Sequence, residues 1–211
     1  MTVDIKAGSK QGHNVAFTAG AGIEPGRAYQ PSQAAAVMRP RKLVVMHWLT
    51  VLCVCMAATL ILVRELVDGR ALRQWLLEGH RHFGLFVLIL FFLRVALRFR
   101  LGKLPSVSHN AWPIRVAAAL THIALYALML ALPMLGWALS NAQHKPVHFF
   151  GLTLPMLVGG DADLADQLQT LHVDAAWLLL ALVVLHIAAA LWHHFMLRDG
   201  TLRLMLPKRR R

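Results

Sequence analysis

The last long apolar stretch of the chain carries two histidines whose spacing could place two metal-binding groups in one helix. It runs from Leu171 to Met196 and contains His172 and His186, fourteen residues apart. In an α-helix that spacing is close to four turns, so both rings lie on nearly one face, about 21 Å apart along the axis. Imidazole is a common axial ligand of haem iron, and ionisable residues inside membrane spans are costly and usually functional. The pattern suggests two haem sites at different depths, although either histidine alone is equally compatible with a hydrogen-bonded packing role.

Apolar runs elsewhere in the chain predict the helices that must supply the partner ligands. The chain has 211 residues, of which 57% are hydrophobic, a composition typical of a multi-span membrane protein. Runs of sufficient length predict four spans, at about 43–63, 79–97, 116–139 and 171–196. We therefore expect an all-α fold, an integral membrane four-helix bundle formed by residues 39–211. Residues 1–38 are rich in Gly, Ala, Ser and Gln and are predicted to be a disordered tail rather than a signal peptide.

The distribution of positive charge predicts the orientation of these spans in the membrane. The formal net charge is +12, and 17 of the 22 Lys and Arg residues precede the first span, lie between the second and third, or follow the fourth. By the positive-inside rule those three regions, and with them both termini, are cytoplasmic. The protein is accordingly expected to be a multi-pass membrane protein. Contact with the lipid bilayer accounts for the basic charge, so no nucleic-acid partner is needed to explain it.

This topology sorts the histidines by depth. His47 lies at the cytoplasmic end of the first span, level with His186, whereas His80, His82 and His172 lie toward the outer side. Two pairs result, His47 with His186 and either His80 or His82 with His172. The chain contains no C-x-x-C-H motif, so covalent haem attachment is not indicated.

The motifs on the four spans together resemble those of the bacterial di-haem cytochrome b561 family over about residues 39–207. The motifs are Met46-His47-Trp48, His80-x-x-x-Gly84 followed by Arg94, Thr121-His122 with Tyr126 and Leu132-Pro133, Leu171-His172, Leu185-His186, His193-His194-Phe195 and Arg198-Asp199-Gly200-Thr201. The resemblance implies two non-covalent b-type haems with bis-histidine iron, held by His47, His186, His80 and His172. It favours His80 over His82, because the family's ligand stands four residues before a glycine. It also implies a place in the bacterial inner (plasma) membrane. There it implies electron transfer between a quinone and a partner, which in some members is superoxide.

Further residues are candidates for the surroundings of the haems. His193, seven residues after His186, is a hypothesis for a quinone pocket, and His122 is a second one, although a buried hydrogen-bonding role is the more expected for His122. Arg81 and Arg94 could pair with haem propionates or extend toward the lipid headgroups. The outer arginines, among them Arg70, Arg73 and Arg81, could attract an anionic substrate.

Three functions are compatible with these observations. The preferred one is an oxidoreductase that oxidises a small-molecule donor, superoxide by resemblance, at the outer haem and reduces ubiquinone near the inner one. The chain could instead be the membrane-anchor subunit of a hydrogenase or dehydrogenase, passing electrons between a soluble redox partner and quinone. A non-catalytic haem-binding membrane protein is the third possibility.

Overall fold

Four long helices form most of the described part of the chain in the computed structural model, which describes residues 40–101, 112–197 and 202–205. The helices are, in chain order, α1 (Arg41–Leu66), α2 (Arg70–Arg100), α3 (Trp112–Ala142) and α4 (Ala162–Trp192). Each is long and apolar enough to cross a membrane. The predicted all-α membrane fold with four spans is confirmed. The predicted disordered tail, residues 1–38, lies outside the described residues.

Two of the helices begin well before the apolar runs that predicted them. Helix α2 begins at Arg70 and α4 at Ala162, each nine residues earlier than the predicted span. Hydropathy marks only the part of a helix that fits the hydrocarbon layer, whereas the helix itself continues until its end is capped. At α4 this cap is Asp161, whose side chain accepts a hydrogen bond from the amide of Leu164 at 2.9 Å. The helices therefore extend beyond the predicted spans toward the side where α1 ends and α2 begins.

Neighbouring helices pack as antiparallel pairs in chain order. Helix α1 packs along α2, α3 packs along α4, and α2 also contacts α3. Large apolar side chains such as Leu52, Phe92, Leu120 and Val184 are more than half exposed on the helix surfaces. Such exposure is expected where lipid replaces water as the surrounding medium, because burial of apolar area no longer drives helix association there.

The connection between α3 and α4 contains a short hairpin that the sequence did not predict. Strand β1 (His148–Phe149) pairs with β2 (Leu152–Thr153) in antiparallel register. The two turn residues, Phe150 and Gly151, have φ of 49° and 83°, the positive values of a type I′ turn. A hairpin over residues 148–153 therefore organises the connection.

The base of this connection is the best-buried part of the described chain. Asn141 is 2% exposed and its side-chain oxygen accepts a hydrogen bond from the amide of Leu157 at 2.9 Å. The amide of Asp161 donates to the carbonyl of Ala142 at 3.0 Å, which joins the end of α3 to the start of α4. These bonds fix the relative position of the two helices that carry His172 and Gly136.

Candidate functional site

Histidines on three of the helices lie at two matching depths. His80 and His172 each stand ten residues after the first residue of their helix, and both helices begin at the same end of the bundle. His47 stands six residues after the start of α1, and His186 six residues before the end of α4, at the opposite end. We call these two levels the His80 end and the His47 end. They are separated by about 21 Å along α4.

At the His80 end, the structure brings the rings of His80 and His172 together in an edge-to-face arrangement. Their ring centroids are 6.1 Å apart with an interplanar angle of 80°. The Nδ1–H of His80 donates a hydrogen bond to the carbonyl oxygen of Ala57 at 2.9 Å, since a carbonyl can only accept. This bond fixes the tautomer and leaves Nε2 with a lone pair for another group. A backbone carbonyl on the second ring nitrogen is the usual support of a metal-binding histidine.

The surroundings of His172 also favour a ligand role for its imidazole over a packing role. Its Nδ1 is buried, and no contact to it has the geometry of a normal hydrogen bond. Gly136 lies directly beside it, because a Cβ at that position would stand 3.2 Å from Cε1 of His172. A glycine at position 136 therefore gives the imidazole the space that it occupies.

At the His47 end, the facing pair is His47 and His186, with ring centroids 6.4 Å apart. Two imidazoles that bind one metal ion from opposite sides have ring centres about 6 Å apart, given metal–nitrogen distances of about 2 Å. Both observed distances match this arrangement. The spacing within each pair would allow its two imidazoles to hold one haem iron. Within the described part of the chain, no three His, Cys, Asp or Glu side chains form a metal-binding group.

Three polar side chains surround the pair at the His47 end. Arg94 donates to Nδ1 of His47 at 3.3 Å, and its guanidinium lies 5.6 Å from the ring centre of Tyr126. His122 lies 5.3 Å from His186 between ring centroids, and its Nδ1 donates to the carbonyl of Ala118 at 2.6 Å. The hydrogen bond expected for His122 is present, but the side chain is exposed rather than buried. The carbonyl of Ala118, one turn earlier in the same helix, accepts this bond. The ring of His122 can therefore be hydrogen-bonded without being buried.

His82 has a different environment from His80. Its Nδ1 donates to the carbonyl of Glu78 at 2.8 Å, and its ring stacks on Phe149 and meets the edge of Phe150. The α3–α4 hairpin therefore holds His82 by its aromatic side chains. The structure brings His80, and not His82, to His172.

The predicted quinone residue His193 lies where α4 changes its helical form. It is half-buried and begins a π-helical turn, His193–Leu197, directly after Trp192. π-Helical turns are rare in proteins overall, but a large share of those that occur are at functional sites. A 3₁₀ turn, Leu202–Met205, returns toward the start of α1, where the indole of Trp48 donates to the carbonyl of Met205 at 2.7 Å. Met205 thus lies near the residue that follows His47.

The predicted outer arginines lie at the His80 end but differ in their contacts. Arg81 pairs with Glu78 at 2.7 Å, so its guanidinium has a protein partner. Arg70 and Arg73 line a cavity of about 360 Å³ together with Gln74 and Arg64. Sequence reasoning gave Arg64 no role, because it follows an apolar span and shares no motif with its neighbours. Only the turn between α1 and α2 brings it to Arg73.

Comparisons with known proteins agree with this arrangement. A family model described as prokaryotic cytochrome b561 matches residues 39–208. The chain belongs to the prokaryotic cytochrome b561 family. This family consists of membrane electron-transfer proteins that bind b-type haem, and the four apolar helices make the chain a multi-pass bacterial membrane protein.

Individual members of the cytochrome b561 family match most of the chain. Probable superoxide oxidase CybB of Yersinia pestis is 33% identical over 164 residues, which cover 78% of this chain and 93% of the relative. Cytochrome b561 homolog 1 of Escherichia coli (strain K12) is 32% identical over 168 residues, covering 78% and 94%. Cytochrome b561 homolog 2 of the same strain is 36% identical over 135 residues, covering 62% and 70%.

Proposed function

We propose that the protein carries electrons across the membrane from superoxide at the His80 end to ubiquinone at the His47 end. The observation that supports this most is the pair of facing histidines at each end, with ring centroids 6.1 Å and 6.4 Å apart. His80 and His172 would hold one b-type haem, and His47 and His186 the second. When bound, the two haems supply one-electron redox centres.

The histidines determine what kind of chemistry the two sites support. Each pair of imidazoles would hold the iron of one haem, and a haem held in this way would supply single-electron transfer. The hydrogen bond from His80 to Ala57 fixes the plane of one ligand, and the space beside Gly136 fixes that of the other.

Arg94 has a role that depends on the state of His47. Its Nη1 now donates to Nδ1 of His47, so the proton of a neutral ring lies on Nε2. Binding iron through Nε2 would place the ring proton on Nδ1 instead. Arg94 would then release the ring, and its guanidinium would be available for a propionate, as the family resemblance suggested.

Superoxide is supported as the donor by charge and by a relative. Arg70, Arg73 and Arg64 form a basic region at the His80 end, and such regions raise the local concentration of small anions. The relative from Yersinia pestis is named as a probable superoxide oxidase. Two superoxide anions would each release one electron and become dioxygen.

Ubiquinone is the proposed acceptor at the His47 end. One ubiquinone would take the two electrons with two protons and become ubiquinol. His193, half-buried in the π-helical turn that follows α4, is the proposed proton donor there. Trp192 and Phe195 are apolar neighbours for the quinone ring.

Stopped-flow absorption spectroscopy of the purified, haem-loaded protein tests this function. We expect reduction of the haem bands by superoxide and reoxidation on addition of ubiquinone. A pyridine haemochrome assay should give two haems per chain. Rapid reduction by a co-purified soluble dehydrogenase, with no reduction by superoxide, would instead support the membrane-anchor function.

A further inference from the structure

Three arginines line an open surface cavity where α1 ends and α2 begins. Its volume is about 360 Å³, and it is lined by Arg64, Arg70, Arg73 and Gln74. A diatomic anion needs about the volume of one water molecule, roughly 30 Å³. The cavity is open to solvent, so its shape also admits an anion larger than superoxide.

The arginines are only partly neutralised by neighbouring carboxylates. Glu65 pairs with Arg64 and, at 3.5 Å, with Arg73. Within the described residues, Arg70 has no acidic partner, and the Nε of Arg64 is buried without a hydrogen-bond acceptor. Asp68 lies in the same connection, but it is exposed and joins no ion pair there. Guanidinium donors thus remain for an additional acceptor.

The start of α2 adds further positive potential at the same place. Gly69 precedes it with φ of 98°, no side chain caps the helix, and its first turn contains no acidic residue. The free amides of a helix N-terminus carry partial positive charge, which ordinarily favours Asp or Glu in the first turn. Here the first turn carries Arg70 and Arg73 instead. Repulsion between these groups would be relieved by a bound anion.

We propose that this cavity binds a phosphate-bearing anion. Guanidinium groups bind phosphate oxygens through paired N–H donors, and amides at a helix N-terminus do the same. Phosphate has enough oxygens to contact several of these groups together. The anion could be a phospholipid headgroup, since the cavity lies at the end of two membrane-spanning helices, or free phosphate from solution.

Arginine labelling of the intact, haem-loaded protein distinguishes these sources. The full chain is placed in phosphatidylcholine nanodiscs, in discs that also contain phosphatidylglycerol, or in phosphatidylcholine discs with added inorganic phosphate. Phenylglyoxal then modifies accessible guanidinium groups, and mass spectrometry measures the rate at each residue. A ligand at about ten times its Kd should slow labelling of Arg70 and Arg73 about tenfold. Because labelling requires no electron transfer, its result is independent of the proposed redox reaction.

Arg115 provides a matched internal control. It is the fourth residue of α3, as Arg73 is the fourth residue of α2, although Arg115 is exposed whereas Arg73 is half-buried. Its labelling rate should be similar under all three conditions. Arg64→Gln should abolish the protection of Arg70 and Arg73, whereas Arg115→Gln should retain it, with haem content and circular dichroism reporting the fold.

The pattern of protection decides between the outcomes. Protection by phosphatidylglycerol alone identifies a lipid headgroup, and protection by inorganic phosphate supports a site for the free anion. Unchanged labelling of Arg70 and Arg73 under all conditions, or equal slowing at Arg115, would overturn the proposal.

Discussion

His80 and His82 stand two residues apart on α2, yet their Nδ1 atoms donate to carbonyls in different parts of the molecule. His80 bonds to Ala57 on the neighbouring helix, whereas His82 bonds within its own helix to Glu78. The first bond orients the ring of His80 at the interface between α1 and α2. The second bond, together with Phe149, ties its ring to the α3–α4 hairpin.

The two histidines should therefore differ in their effect on haem content. We predict that His80→Ala and His172→Ala each lose the haem at the His80 end, which lowers the pyridine haemochrome yield to about half, because one of two axial ligands is removed. His82→Ala is the matched control and should keep both haems. Haem loss in His82→Ala with full content in His80→Ala would reverse the assignment of the ligand.

Gly136 permits a prediction about the space around His172. In Gly136→Ala the new methyl group would stand 3.2 Å from Cε1 of His172 and would displace the ring. Overpacking of this kind costs about 1–3 kcal/mol, so haem affinity at the His80 end should fall by about fivefold or more. Transfer of haem to apomyoglobin measures this change.

Gly159→Ala supplies the comparison, because a Cβ there meets no atom within 4 Å. Its haem-transfer rate should equal that of the unsubstituted protein. Equal rates for both glycine variants would show that the methyl group at position 136 is accommodated without moving His172.

At the scale of elements, the end of α4 matters more than its middle for the proposed quinone site. The helix changes to a π-helical turn at His193–Leu197, and the following 3₁₀ turn contacts Trp48 through Met205. A π-helical turn rotates the following side chains relative to a continuous α-helix. The side chains after Trp192 therefore lie in directions that a helical projection of the sequence does not give.

We predict that His193→Ala retains both haems and their spectra but reoxidises more slowly with ubiquinone. The expected decrease is about tenfold or more, because a positioned general acid typically contributes about 10²–10⁴-fold. Stopped-flow measurement of reduced-haem decay gives the rate. His194→Ala is the matched control, since His194 is also half-buried and its ring packs on Phe195.

Two results would count against this role of His193. Unchanged reoxidation in a fully loaded His193→Ala protein would direct the search to His122, the other histidine beside the His47 end. Equal slowing in His194→Ala would indicate that any change in the turn disturbs the site.

At the scale of the whole molecule, charge is divided between the two ends of the bundle. Of the 22 Lys and Arg residues, 17 belong to the regions expected in the cytoplasm. The His80 end carries few by comparison, among them Arg64, Arg70, Arg73 and Arg81. This asymmetry predicts that the His47 end faces the cytoplasm.

Reporter fusions test the predicted orientation. An alkaline phosphatase fused after Arg211 should be inactive, because that enzyme requires the periplasm, whereas a green fluorescent protein at the same position should fluoresce. The same reporters fused after Gly160, in the connection between α3 and α4, should show the opposite pattern. Active phosphatase after Arg211 would show that the predicted orientation is reversed. The proposed sides for superoxide and ubiquinone would then be reversed as well.

The sequence alone determined the properties that depend on composition and period. Long apolar runs require helices in a membrane, since every backbone polar group must be satisfied within the segment. The spacing of His172 and His186 set two depths along one helix, and the four-helix fold followed from the same reasoning. Each of these depends on one segment at a time, so no knowledge of neighbouring segments was needed.

The tertiary structure decided which groups meet between segments. The bond from His80 to Ala57, the closeness of Gly136 to His172, and the approach of Arg64 to Arg73 all join residues on different helices. The hairpin that holds His82 and the extra turns of α2 and α4 were likewise absent from the prediction. Hydropathy measures preference for lipid, but contacts depend on helix rotation and on capping, which only packing of the whole chain determines.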